Sequence, residues 1–180
     1  VRHHKVDALE YNRKVDDALP LEDVIKPDPE LRKLIQDIDT SKVRLWLFTN
    51  AYITHGKRVV KLLGVDDLFE GITYCDYGSE KFYCKPHTEM FDKAMAQAGV
   101  RSNQNCYFVG EWGHVVVSWT RTNSKEDDSF INCKAAHERG WKVAHLLDVN
   151  DPAPPQQASK YQIRSLQELR EIFPEVFKSS

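Results

Sequence analysis

No apolar run in the sequence approaches the roughly 20 residues that a membrane-spanning helix needs, and the mean hydropathy is −0.55. A soluble protein without a membrane partner is expected. Charge of one sign is equally scarce: 25 Lys and Arg stand against 27 Asp and Glu, for a net charge of −2. The broad basic face of a general nucleic-acid binder is missing, so no nucleic-acid partner is expected. The four cysteines, Cys75, Cys84, Cys106 and Cys133, contain no C-x-x-C pair. No N-x-S/T acceptor occurs, and Val1-Arg2-His3-His4 opens without an apolar secretory stretch. These absences predict free thiols in a cytoplasmic (or also nuclear) protein, rather than disulfides or a zinc site. Histidine lacks metal spacing as well. His137-Glu138 is not followed by the second histidine of H-E-x-x-H, and His55, His87 and His145 read as surface or cap residues.

What is present is enough for one packed domain with a small appendage: 180 residues, 41% apolar and 29% charged. A first helical pattern runs from Val6 to Val15 and is broken at Leu19-Pro20-Leu21. Asp28-Pro29-Glu30 then signals a helix start, with an N-cap, a proline at the first helical position and an acid in the first turn. Val43 to Phe48 is nearly continuously apolar and predicts a strand buried on both faces. Helix and strand alternate from there. Helices from Ala51, His87 and Ser129 stop at Gly64, Gly99 and Gly140. Strands are expected at Ile72–Cys75, Cys106–Val109, Lys142–Leu146 and Tyr161–Ile163, with a last helix over Ser165–Phe173. Such alternation through short loops implies a parallel sheet covered by helices on both faces. Sites in these sheets lie beyond the carboxyl ends of the strands.

Three groups stand at such positions. Thr49-Asn50 follows the first strand at the mouth of a helix, where a hydroxyl and backbone N–H groups suit an anion, or simply cap the helix. Lys85, in Cys84-Lys85-Pro86, is held beside a helix-entering proline and could neutralise a phosphate, or be a solvated surface lysine. Asp127-Asp128 precedes Ser129, and adjacent carboxylates with few other ligands suit Mg²⁺, or merely cap a helix. Cys84 beside Lys85 reads as a small packing residue. Tyr74, Asp76 and Tyr77 lie at or past a strand end and could line a substrate pocket.

In this order the pieces resemble the second, third and fourth motifs of the haloacid dehalogenase-like phosphatase superfamily. The resemblance narrows to its fungal pyrimidine 5′-nucleotidase branch through Leu45-Trp46-Leu47-Phe48-Thr49-Asn50-Ala51-Tyr52, Leu62-Leu63-Gly64-Val65, Ile72-Thr73-Tyr74-Cys75-Asp76-Tyr77 and Cys84-Lys85-Pro86-His87. Ala8 to Asp16 is similar to the end of that branch's helical cap. The resemblance implies an α/β fold: a Rossmann-like three-layer core with a parallel sheet over 23–180, and a remnant of an α-helical cap over 1–22. It further implies a phosphomonoesterase for UMP and CMP that works through an aspartyl-phosphate. Thr49 and Asn50 would bind the phosphoryl group. Lys85 would serve as both phosphate ligand and catalytic charge, and Asp127 and Asp128 would hold Mg²⁺. Other small phosphomonoesters (a lysophospholipid or sugar phosphate) and a catalytically silent phosphate-binding protein remain the alternatives.

Two departures from the family pattern stand out. The D-x-D-x-T/V nucleophile strand would precede the cap, and this chain begins inside the cap, without the sheet's central strand. The one upstream D-x-D, Asp37-Ile38-Asp39, follows a helix and is rejected, so the chain alone is expected not to turn over. The fourth motif is also interrupted: removal of 110–126 would join Phe108-Val109 to Asp127-Asp128-Ser129. That segment reads as a translated intron, a β-excursion or a substrate lid bearing Trp112 and Trp119. Codons for Gly110-Glu111-Trp112, Thr122-Asn123 and Glu126-Asp127 can spell donor, branch-point and acceptor signals.

Overall fold

A computed structural model describes residues 7–111, 128–148, 150, 152 and 154–179. Residues 112–127, which contain most of the interrupting segment and Asp127, lie outside them. The N-terminal stretch is a helix, α1 (Ala8–Tyr11), continued by a wider turn over Asn12–Asp16. A short helix α2 (Leu21–Val24) fills the region expected to be a break. Helix α3 (Pro29–Gln36) starts as the sequence predicts: the Asp28 carboxylate accepts from Leu31 N–H at 2.9 Å, and proline stands at the first position.

The rest alternates strand and helix. In order come β1 (Trp46–Phe48), α4 (Ile53–Leu62), β2 (Gly71–Thr73), α5 (Thr88–Ala98), β3 (Tyr107–Glu111), α6 (Asp128–Glu138), β4 (Lys142–Leu146), β5 (Tyr161–Ile163) and α7 (Leu169–Ile172). Gly64, Gly99 and Gly140 carry φ of 72°, 71° and 86°, the left-handed stops that the sequence predicts. Among the described residues all pairings between strands are parallel, but they make two sheets, β1–β2 and β3–β4–β5, instead of one.

Both sheets nevertheless share the same three layers, because their side chains alternate between faces. Phe108 and Val143 point into a cluster with Phe91 and Ala94 of α5 and Cys133 and Ala136 of α6, and Phe48 of β1 packs against that cluster. On the other face Leu45 and Leu47 meet Ile35 of α3 and Val59 and Val60 of α4. Ala144 and Ile163 meet Leu34, Leu169 and Phe173 there. The fold is thus α/β and Rossmann-like, as expected.

One expectation about β1 is corrected. Its three residues are part-buried rather than buried on both faces, because among the described residues only one of its edges is paired, by β2. The β1–β2 pair is locked by Trp46, whose indole lies flat over Gly71, where a Cβ would collide with the ring. The indole N–H donates to Thr73 Oγ1 at 2.9 Å, and that buried hydroxyl donates to Gln97 Oε1 of α5 at 2.6 Å.

Candidate active site

Helix α4 begins one turn past β1, so Thr49 and Asn50 fall at the carboxyl edge of the sheet, as a doubly wound chain requires. Thr49 is 8% exposed. Its hydroxyl oxygen accepts from Ala51 N–H at 3.0 Å, which leaves its own proton available to donate.

Lys85 reaches the same edge from the loop after β2. The backbone pattern of β1 shows how. Thr49 N–H donates to Thr73 O across the β1–β2 pair at 2.9 Å, so the neighbouring Phe48 carbonyl turns to the opposite, unpaired edge. Lys85 Nζ donates to that carbonyl at 2.7 Å. The ammonium lies 4.7 Å from the Phe48 ring centroid and 5.3 Å from that of Phe108, a strand of each sheet contributing one ring. The residue as a whole is part-buried, but its charged end is enclosed, and burial pulls its pKa down to about 8. Among the described residues no carboxylate pairs with it. A cation so placed is a ready receptor for an anion.

Asn50 has a different part from the one its position suggests. Its side chain clamps the Lys85 backbone: Lys85 N–H donates to Oδ1 at 2.7 Å, and Nδ2 donates to Lys85 O at 2.9 Å. The Asn50 carbonyl in turn accepts from the Tyr77 hydroxyl at 2.8 Å. Thr49, Asn50 and Lys85 are therefore one connected group, although 35 residues separate Asn50 from Lys85. Tyr52 extends it. Its ring lies nearly parallel to that of Tyr77 (centroids 5.7 Å apart, planes at 15°) and edge-on to Tyr74 at 5.8 Å. Tyr52 carried no signal in the sequence beyond its place after Thr49-Asn50. Asp76 turns away to line a small cavity of about 90 Å³ with Lys81 and Lys93.

The other expected residues fare unevenly. Asp128 opens α6, but its side chain, like all of Asp127, lies outside the described part. Among the described residues no group of three His, Cys, Asp or Glu side chains could hold a metal ion. Asp37 and Asp39 follow α3 and are engaged elsewhere, Asp37 with Arg170 at 2.7 Å and Asp39 with Ser41 and Lys42. They stand at no carboxyl end of a strand, consistent with their rejection as the nucleophile motif.

The expectation of free thiols is overturned at one pair. Cys75 and Cys84 are disulfide-bonded, with Cα atoms 5.4 Å apart. The loop leaving β2 returns to the strand end before α5, and a sequence separation of nine, not the three of C-x-x-C, brings the sulfurs together. Cys106 and Cys133 are buried and unbridged, as expected.

A family model described as haloacid dehalogenase-like hydrolase matches residues 2–112. Phosphate metabolism protein 8 of Saccharomyces cerevisiae is 46% identical over 150 residues, 79% of this chain and 41% of that protein. The chain thus spans less than half of this curated relative. Among solved structures, the HAD phosphatase from Thermococcus onnurineus superposes with a TM-score of 0.61 at 18% identity, covering 92% of this chain and 70% of that one. A HAD-hydrolase from Bacillus subtilis bound to magnesium gives 0.56 at 19% identity, covering 78% and 53%. The chain belongs to the haloacid dehalogenase-like hydrolases.

Proposed function

We propose that this haloacid dehalogenase-like hydrolase is the core of a phosphomonoesterase acting on pyrimidine nucleoside 5′-monophosphates such as UMP and CMP. The observation that carries the reading is the enclosed Lys85 ammonium on the Phe48 carbonyl, its backbone fixed by Asn50 at the strand end that carries Thr49, with no carboxylate among the described residues to neutralise it. Phosphoryl transfer asks mainly for positioned charge, and a cation in a water-poor setting acts more strongly than one in solvent. Thr49 donates its hydroxyl proton to a phosphoryl oxygen, Lys85 offsets the oxygens' charge, and Asn50 acts on the phosphate through the Lys85 backbone. The Tyr52–Tyr77 pair beside Asn50 supplies aromatic surface suited to a nucleobase.

Mg²⁺ is assigned to Asp127 and Asp128, following the motif order and the magnesium-bound relative. When bound, the ion would neutralise phosphate oxygens. No step is routed through it, because the described residues offer no donor set. The nucleophile is assigned to a D-x-D-x-T/V strand paired to the open edges of β1 and β3. In domain terms 1–22 is the cap remnant and 23–180 the core, interrupted at 110–126. The test is phosphate release in Mg²⁺ from UMP, CMP, AMP, lysophosphatidate and glucose 6-phosphate. With the strand encoded upstream, UMP and CMP should turn over fastest. Residues 1–180 alone should bind phosphate without turnover. Turnover by 1–180 alone contradicts the assigned nucleophile, and fastest release from lysophosphatidate or the sugar phosphate contradicts the nucleotide assignment. Phosphate binding without turnover even with the upstream strand leaves the silent binding protein.

A further inference from the structure

Residues 78 to 82 of the loop over 76–83 are consecutively exposed. The loop is held by the small turn at Asp76, where Gly78 N–H, Ser79 N–H and the Ser79 hydroxyl are the donors, by the edge contact of Tyr77 with Phe82, and by Lys81 over the Tyr83 ring. Segments with few buried contacts open at low free energy. Yet Lys85 directly follows Cys84, the first residue past the loop, and a residue near its start, Tyr77, donates to Asn50. The Cys75–Cys84 disulfide closes this loop at its base.

We propose that the Cys75–Cys84 bond is a reversible redox latch on the anion pocket. Oxidised, it ties Lys85 to the end of β2 and keeps the Asn50 clamp assembled. Reduced, it lets the loop and the Lys85 backbone move, and phosphate binds more weakly. The inference rests on the reading of Thr49, Asn50 and Lys85 as a phosphate pocket. It is independent of the nucleotide assignment.

The two cysteines are unequally exposed, which sets the direction of attack. Cys75 is 0% exposed, whereas Cys84 is part-exposed. The thiolate of a small dithiol attacks Cys84 Sγ, the S–S bond breaks, and Cys75 leaves as a thiolate that takes a proton. The second thiol of the reductant then attacks its own sulfur in the mixed disulfide and releases Cys84 as a thiol. Two electrons and two protons pass from the dithiol, which ends as a disulfide. An oxidised dithiol reverses each step. Cys106 and Cys133, both buried, stay thiols throughout.

The test uses residues 1–180 equilibrated with oxidised or reduced dithiothreitol. Thiols are counted by alkylation after unfolding, amide exchange is followed over 76–85, and inorganic phosphate is titrated by calorimetry. With one disulfide in four cysteines, two thiols are expected when oxidised and four when reduced. On reduction the loop amides should exchange about tenfold faster. The phosphate Kd should rise about three- to tenfold as the competent fraction falls. Reoxidation should restore both. Cys75→Ser/Cys84→Ser should behave like the reduced protein in either reagent. Four thiols under oxidising conditions, or exchange and affinity that ignore the redox state, would overturn the latch. If phosphate binds in neither state, the pocket reading fails by itself. Loop exchange then decides the latch: a redox response supports it and its absence overturns it.

Discussion

In the three-stranded sheet Val143, Ala144 and Ile163 are 2%, 0% and 1% exposed, whereas every residue of β1 in the two-stranded sheet is only part-buried. The first region is an ordinary apolar core between α3, α6 and α7. The second spends its strand end on polar work. A main-chain carbonyl there satisfies a lysine, an asparagine side chain satisfies a loop backbone, and a buried threonine bridges Trp46 to α5. Apolar packing and polar contacts are thus divided between two half-sheets, joined through Phe48, Phe91, Phe108 and Trp141.

The sharpest way to test the division is to delete equivalent apolar groups from each half. Ile163→Ala should cost about 2–5 kcal/mol in chemical denaturation. Leu47→Ala, at a part-buried position, should cost about half as much. Equal costs would dissolve the distinction. Next comes Lys85→Met. An unfolded lysine holds its proton to about pH 10.5 and the folded one only to about pH 8. Between those values the unfolded state binds more protons, so wild-type stability should climb with pH across that window. It should be lower by up to ~3 kcal/mol below it. The methionine variant should lose this climb and be the more stable protein at neutral pH, although it should no longer bind phosphate. Melting both proteins at several pH values between about 7 and 10.5 reads the difference.

Much of this plan is written in local sequence signals. The cap at Asp28, the proline after it and the three stop glycines are decided within a few residues, so they are legible and the helices follow. The order of Thr49 and Lys85 along alternating elements likewise points to one edge of a parallel sheet, while Asp127 lies outside the described residues. What could not be read depends on contacts between distant segments. The Asn50–Lys85 clamp and the Tyr77 bond to Asn50 arise only when the loop after β2 folds back over β1. The Cys75–Cys84 bridge has the same origin, which is why spacing rules for cysteine missed it. The division into two sheets also lies beyond pattern, since an apolar run reports burial without saying which edge is paired.

Smaller changes refine the polar half. Asn50→Ala removes both bonds to the Lys85 backbone. It should destabilise by about 1–3 kcal/mol and weaken phosphate binding about tenfold, read by denaturation and calorimetry. Tyr77→Phe removes one hydroxyl bond to the Asn50 carbonyl. Its cost should be about 1 kcal/mol, with a loosened 76–83 loop visible in amide exchange. A Tyr77 effect larger than that of Asn50 would shift the centre of the site from the clamp to the aromatic pair.

The most direct measurement is calorimetric titration of inorganic phosphate into residues 1–180 and into Lys85→Met, at about pH 7.5 and about pH 9.5, on either side of the Lys85 transition. The predicted result is binding by the wild type that weakens at least about tenfold at the higher pH, with no binding by the variant at either. Equal phosphate affinity in the two proteins would contradict Lys85 as the centre of the site.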